Sequence, residues 1–258
     1  MLWQKSWWET RWSLLSIMGV ILVFAALNQR LNQADLDKWI LELQKRAPAW
    51  SEDSQRLLPL LSSYQGYVWY YWFRLIMLTL WPTVALGIGA TTLLHSSCPW
   101  TGSGAGIFTF SLPVSRRRIL LTHVALVALE MILLALLSSL MIPIASSMFG
   151  TDVHFGSTVI HALLLSLGGM VFLALSVLLT VLFTNPLKVL FIGIALIYAL
   201  FFPFYTYEEF PWWNVFHLMS GETYFRYGRI PWSGLLASLG VFALMIFAAL
   251  RIYERRDF

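Results

Sequence analysis

The sequence predicts an all-α membrane protein with six transmembrane helices, and three observations lead to that prediction. Of the 258 residues, 59% are hydrophobic and only 12% are charged, which is about half the charge of an ordinary soluble domain. A soluble core of this length could not bury so much apolar surface, whereas lipid can cover it. The charges also fall between long apolar runs, so the net charge of +4 reflects membrane topology and does not indicate nucleic-acid binding.

Six runs approach the length of about 20 mostly apolar residues that a transmembrane helix needs. Pro82 and Pro143 lie inside the second and third runs and are expected to kink them. Asn185-Pro186 marks a tight turn between the fourth and fifth runs. The predicted spans are residues 13–27, 68–94, 119–148, 157–183, 187–204 and 233–250.

The distribution of basic residues predicts the orientation of these spans. The segments on the side of the two termini carry an excess of Lys and Arg over Asp and Glu, whereas the opposite side is close to neutral. Positive charge accumulates on the cytoplasmic side of membrane proteins. We therefore expect a multi-pass protein of the bacterial cytoplasmic (inner) membrane, with the N-terminus and the C-terminus both inside.

Three segments are not predicted to cross the membrane. Residues 1–12 are rich in tryptophan on one side and predict a helix lying in the inner interface. The outer segment 28–66 predicts an amphipathic helix that rests on the outer leaflet or caps the spans. Residues 205–231 predict an outer re-entrant helical hairpin before the last span. The apolar positions at helical spacing in the outer segment are Leu36, Trp39, Ile40, Leu43 and Ala47.

The loop between the second and third spans carries the most specific motif. It reads Phe110-Ser111-Leu112-Pro113-Val114-Ser115-Arg116-Arg117-Arg118. Pro113 stops one helix, Ser115 can cap the next, and the arginines hold the junction in the cytoplasm. This string resembles the start of the third span in ABC-2 type permeases, the transmembrane subunits of ABC exporters. In that family it follows a short coupling helix.

The resemblance implies a permease subunit of an ATP-driven exporter with an amphiphilic or hydrophobic substrate. Its partners would be two cytoplasmic ABC ATPase subunits, which bind ATP and Mg, and a second permease subunit, identical or homologous. Spans one, two and five are the expected interface with that subunit. Residues 95–118 would form the ATPase-coupling loop, although residues 95–106 lack the carboxylate that family members commonly have there. The expected coupling residues are Trp100, Phe108, Phe110, Leu112, Pro113, Ser115, Arg116 and Arg117.

Glu130 is the one carboxylate predicted inside a span. It lies twelve residues beyond Arg118, which is about 18 Å along a helix and therefore near mid-membrane. Its charged form would cost about 3 kcal/mol against lipid, so it should face other helices or a cavity. Two interpretations stay open: a polar position in the translocation path or at the subunit seam, and a protonated or hydrogen-bonded glutamate packed between helices.

The sequence offers no catalytic set, metal site or cofactor site. Gly102–Gly106 lacks the lysine of a phosphate-binding loop, and the five histidines are scattered singly, with no HExxH pair. We therefore expect no enzyme activity from this chain by itself, with ATP hydrolysis in a separate subunit. Two other classes remain: a membrane subunit that transmits ATPase motion without transporting a solute, and, with less support, a polytopic membrane enzyme.

Overall fold

The computed structural model describes residues 15, 19, 33–46, 48, 58–97, 115–148, 153–183, 185–205 and 214–255. These residues form helices, and no strand occurs among them, which confirms the all-α prediction for this part of the chain. The helices are α1 (Gln33–Arg46), α2 (Leu58–Leu61), α3 (Tyr64–Val68), a π helix (Trp69–Met77), α4 (Leu78–Ser97), α5 (Arg116–Met148), α6 (Phe155–Leu182), α7 (Pro186–Tyr205), α8 (Val215–Ser220), α9 (Glu222–Tyr227) and α10 (Trp232–Arg255).

Four helical stretches in the described residues are long and apolar enough to cross a membrane. They are Tyr64–Ala90, Arg117–Ile144, Phe155–Leu182 and Trp232–Arg255, and they coincide with the predicted second, third, fourth and sixth spans. The fifth predicted span is also a helix, but its apolar stretch Leu187–Phe202 is shorter. Leu15 and Gly19 are helical; otherwise the first predicted span and the interfacial helix 1–12 lie outside the described residues.

The second span contains a π helix where the sequence predicts only α-helix. Residues Trp69–Met77 adopt this wider winding between α3 and α4. At its exit, the Thr79 hydroxyl donates to the carbonyl oxygens of Leu75 and Ile76, both at 2.9 Å. The π winding ends at Met77, and α4 continues through Pro82 without a break.

Helix α6 forms the centre of the bundle. It contacts α4, α5, α7, α8 and α10. Of its most apolar 18-residue stretch, 72% is buried, whereas the corresponding value for α10 is 22%. Small residues allow this close packing. A Cβ at Gly169 would lie 2.6 Å from Nε1 of Trp81, and the Ser176 hydroxyl donates to the carbonyl oxygen of Leu86 at 2.8 Å. Gly169 thus admits the bulky Trp81 side chain, and the Ser176 hydroxyl bonds directly to the backbone of α4.

The order of contacts gives the direction of each helix. Gln65 lies beside Ser157 and Trp81 beside Gly169, so the second span and α6 run in the same direction. Helices α5 and α7 run oppositely to α6, because only short connections join them to it. Helix α10 begins at Trp232, shortly after α9 ends at Tyr227, so its start lies beside the α8–α9 hairpin and its end lies at the other end of the bundle. The starts of α5 and α7 and the end of α10 therefore lie together, and we call this the arginine end. The opposite end, with α1, α2, α8 and α9, is the aromatic end.

The predicted amphipathic helix of the outer segment is present as α1. Its apolar positions Leu36, Trp39 and Leu43 are buried. The Trp39 ring lies 4.8 Å from that of Tyr70, and its Nε1 donates to the carbonyl oxygen of Leu61 at 3.0 Å. Of the two predicted arrangements, the described residues therefore show α1 capping the second span.

Candidate functional site

The junction before α5 has the geometry of a capped helix start. The Ser115 carbonyl oxygen accepts from the backbone N–H of Arg118 at 2.9 Å and of Ile119 at 3.2 Å, and its hydroxyl also accepts from Arg118 at 3.4 Å. The motif serine thus caps the helix, which begins at Arg116, as predicted. The other predicted coupling residues lie outside the described part of the chain: Trp100, Phe108, Phe110, Leu112 and Pro113.

Cationic side chains gather at the arginine end. Arg117 and Arg118 are exposed at the first turn of α5, where they oppose the helix macrodipole. Positive charge at the first turn therefore destabilises α5 itself, and the placement of these arginines is explained by the surface around them. Exposed cations from two other helices lie at the same end, and such a surface attracts acidic protein patches and anionic lipid head groups. These further cations are Lys188, Arg251 and Arg255.

Glu130 lies within the bundle and not on its surface. Its side chain is 1% exposed, and the neighbouring Met131 is fully buried. Met131 approaches Gly169 of α6, where its Cε would lie 3.2 Å from an added Cβ. The structure therefore places Glu130 among helices of its own chain, near the level at which α4, α5 and α6 meet.

The aromatic end holds a buried charged cluster that the sequence analysis did not single out. Glu222, 1% exposed, forms an ion pair with Arg226 four residues later, and Nδ1 of His217 lies 3.8 Å from the same carboxylate. His217 Nε2 lies 2.8 Å from the Thr223 hydroxyl. The i,i+4 spacing of Glu222 and Arg226 is the signal that could have identified the pair. Its burial is a property of the fold alone.

A glycine sets the geometry of this hairpin. Gly221 lies between α8 and α9 with φ of 63°, a left-handed conformation that favours glycine. A side chain there would also collide with the His161 ring of α6. Asn214 begins the hairpin by accepting from the Phe216 N–H at 2.9 Å. The described stretch 214–231 of the predicted hairpin thus contains two six-residue helices, each too short to cross a membrane.

Aromatic rings join this hairpin to the π helix. Trp69 stacks on Phe225 with ring centroids 4.2 Å apart and an interplanar angle of 1°. Its indole N–H donates to the carbonyl oxygen of Ser220 at 2.9 Å. Phe73, one turn further, lies 4.9 Å from the His161 ring. The π helix therefore contacts the hairpin and α6 at the same end of the bundle.

A cavity of about 540 Å³ opens beside these rings. Its walls come from α2, α3, the beginning of α6, and α9. None of the described residues that line it is acidic. Its polar and aromatic lining includes Gln65, His154, Phe155, Ser157, His161 and Tyr224. The volume falls in the range of about 300–1,000 Å³ that is usual for small-molecule sites.

Within the described residues, no three His, Cys, Asp or Glu side chains converge on a position that could hold a metal ion. Comparison with known proteins gave no match to a family model, to a curated protein or to a solved structure. The resemblance of the 110–118 motif to ABC-2 permeases therefore depends on this chain's sequence alone, and the structure describes only residues 115–118 of that motif.

Proposed function

We propose that this chain is the permease subunit of an ATP-driven ABC exporter that moves an amphiphilic or hydrophobic substrate out across the cytoplasmic membrane. The observation that most directly supports this proposal is the junction before α5. The Leu112-Pro113-Val114-Ser115 motif ends where a capped helix begins, and exposed arginines follow. A coupling segment must transmit an external push into a rigid element, and α5 is a 33-residue helix that continues directly from it.

Further support comes from the architecture. Four candidate spans lie in the described residues, and α7, at 20 residues, is about 30 Å long, which matches the hydrocarbon thickness of a bilayer. With residues 13–27 as the first span, the protein has the six spans of the ABC-2 type. The cations gathered at the arginine end favour a cytoplasmic location for that end. Both termini then lie inside.

In the proposed mechanism, two cytoplasmic ATPase subunits bind ATP and Mg and close against residues 95–118. That loop connects α4 to α5, and both helices pack on α6. A force on the loop therefore reaches α6, at the centre of the bundle, through its contact with α4 and its contact with α5. A second permease subunit completes the pathway, and the weakly buried outer faces of α7 offer apolar surface for it. Phe191, for example, is 71% exposed.

The test is reconstitution of the full chain with the ATPase that co-purifies with it. The chain stripped of that ATPase should hydrolyse no ATP, whereas the vesicles containing the complex should show substrate-stimulated hydrolysis together with transport. Phe108→Asp should uncouple hydrolysis from transport or dissolve the complex, because it places a charge at a predicted apolar anchor. Phe258→Asp, the same change in the C-terminal tail, is the matched control and should behave as wild type.

Three results would count against the proposal. The first is ATP hydrolysis by the rigorously purified chain, and the second is the absence of any co-purifying ATPase. The third is normal coupling in Phe108→Asp. Hydrolysis that responds to a partner while no solute moves would instead select the mechanical-transmission interpretation, so transport and hydrolysis have to be measured in the same vesicles.

A further inference from the structure

Helix α7 has one narrow buried stripe and a wide exposed surface. The buried positions recur every four residues; they are Val189, Gly193, Ile197 and Phe201. At Gly193 an added Cβ would collide with the Leu86 side chain, so this stripe packs against α4. A second stripe, on another side of the helix, carries large exposed side chains at a spacing of four, three and four residues. They are Leu187, Phe191, Ile194 and Tyr198.

Tyr198 is the one polar member of this exposed stripe. Helix α7 begins at the arginine end with Pro186, and Tyr198 lies twelve residues further, which is about 18 Å along a helix. The hydrocarbon core of a bilayer is about 30 Å thick, so Tyr198 lies near its middle and away from the interfaces that tyrosine prefers. The residue is nevertheless 47% exposed, and none of the described residues hydrogen-bonds to its hydroxyl.

Lipid alone is an unfavourable neighbour for this hydroxyl. A hydroxyl in an apolar medium costs free energy when it has no hydrogen-bond partner. Helical side chains lean toward the N-terminus of their helix, so the Tyr198 ring leans toward the arginine end, which is the more distant of the two membrane surfaces. The hydroxyl therefore does not approach the nearer head groups, and it requires a polar partner within the membrane.

The predicted first span does not supply that partner. It is the one predicted membrane segment that lies outside the described residues, apart from Leu15 and Gly19. Its polar side chains, Ser13 and Ser16, are both in its first turn. This span and α7 are both predicted to begin at the cytoplasmic side, so the two serines lie at least about 10 Å closer to that side than Tyr198. A partner at the depth of Tyr198 must therefore come from another molecule.

We propose that Tyr198 pairs with Tyr198 of a second copy of this chain, across a two-fold axis along the membrane normal. Such an axis brings each residue of α7 to the same depth as its counterpart. A tyrosine hydroxyl both donates and accepts, so the two hydroxyls satisfy each other, one donating and the other accepting. The 4-3-4 spacing of the exposed stripe suits helices that cross at about 20°. The interface stands on these residues alone; that the copy is the second permease subunit rests on the proposed function.

Disulfide trapping tests which side of α7 meets the second copy. The purified full chain, in a Cys98→Ser background, is reconstituted into vesicles without any other protein and oxidised with copper phenanthroline. Ile194→Cys, one turn before Tyr198, should form a disulfide-linked dimer. Leu196→Cys is the matched control: the two positions are 36% and 42% exposed, but two residues turn a helix by about 200°. The control should cross-link at least about tenfold more slowly, because a disulfide requires Cα atoms within about 7 Å.

The contribution of the hydroxyl is measured separately. Energy transfer between copies labelled at the C-terminus, followed as added lipid dilutes the protein, gives the dissociation constant of the dimer. Tyr198→Phe keeps the ring and should raise this constant about threefold to tenfold, the range expected for an interhelical hydrogen bond in a membrane. Tyr227→Phe, at a tyrosine that is 68% exposed at the aromatic end, should leave it unchanged.

Equal cross-linking of Ile194→Cys and Leu196→Cys would overturn the proposal, as would an unchanged dissociation constant in Tyr198→Phe. Rapid labelling of Tyr198→Cys by a membrane-impermeant maleimide would overturn it too, because this side of α7 would then face water. The vesicles contain no ATPase, so these results leave the exporter proposal to its own test. A chain that dimerises through Tyr198 but couples to no ATPase would retain the interface and lose the proposed function.

Discussion

Replacing Arg226 by methionine should destabilise the protein far more than an ordinary helix-surface substitution. Glu222 and Arg226 are four residues apart on α9, and their side chains are 1% and 8% exposed. The same spacing on an exposed helix would contribute about 0.3–0.5 kcal/mol. Loss of one partner of a buried pair costs about 3–5 kcal/mol, because the other charge stays buried. In Arg226→Met, His217, with Nδ1 3.8 Å from the carboxylate, is the described ion-pair partner that remains.

The double variant Glu222→Gln/Arg226→Met tests whether the unpaired buried carboxylate causes the loss of stability in Arg226→Met. It removes both charges, so the buried carboxylate that penalises the single variant is gone. We expect it to recover about half or more of the lost free energy of unfolding. Arg229→Met is the matched control, since Arg229 is exposed three residues further along the chain. Its effect should stay within about 0.5 kcal/mol.

The measurement is reversible unfolding of the full chain in mixed maltoside and dodecyl sulfate micelles, followed by tryptophan fluorescence. Trp69 stacks on Phe225 of the same hairpin, so the signal includes the region that is perturbed. A cost for Arg226→Met below about 1 kcal/mol, as for an exposed pair, would refute the reasoning. So would a double variant that is no more stable than the single one.

Two further predictions concern packing and assembly. Gly169→Ala should lower the free energy of unfolding by about 1–3 kcal/mol in the same assay, because its Cβ would lie 2.6 Å from the Trp81 indole. The control Gly240→Ala, with open space around it, should be neutral or stabilising. Equal effects of the two substitutions would contradict the close packing at Gly169. In a Cys98→Ser background, a benzophenone probe at Phe191→Cys on α7 should cross-link to a second permease subunit, whereas the similarly exposed Leu244→Cys on α10 should label lipid. A mass of one membrane subunit in detergent, with no cross-link from Phe191→Cys, would contradict the dimer.

Much of the secondary structure could be predicted from local properties of the chain. Long apolar runs become helices in a bilayer because each backbone polar group must find its partner within its own segment. Ser115 and Asn185-Pro186 set helix starts by local chemistry: Ser115 caps α5, and the Asn185 side chain accepts from the Leu187 N–H at 2.9 Å. The amphipathic α1 follows from its spacing of apolar residues in the same way.

The π helix could not be predicted, because periodicity does not distinguish it clearly from an α-helix over nine residues. The same limit holds for the candidate site at the aromatic end. His161 and Gly221 are sixty residues apart in the sequence, and no local pattern indicates that the ring of one lies against the backbone of the other. The spacing of Glu222 and Arg226 is visible in the sequence, but the same spacing occurs on solvated helix faces.

Composition and local pattern by themselves thus determined that the described part of this chain is helical, that it contains apolar helices long enough to cross a membrane, and roughly where its longer helices lie. These properties depend on backbone hydrogen bonding and on the transfer of apolar side chains, which act within a segment. The tertiary structure alone decided that Gly169 of α6 admits Trp81 and that Gly193 of α7 admits Leu86. It also decided that the Glu222–Arg226 pair is buried and that a cavity opens at the start of α6. These features depend on the shapes of surfaces brought together from distant parts of the chain.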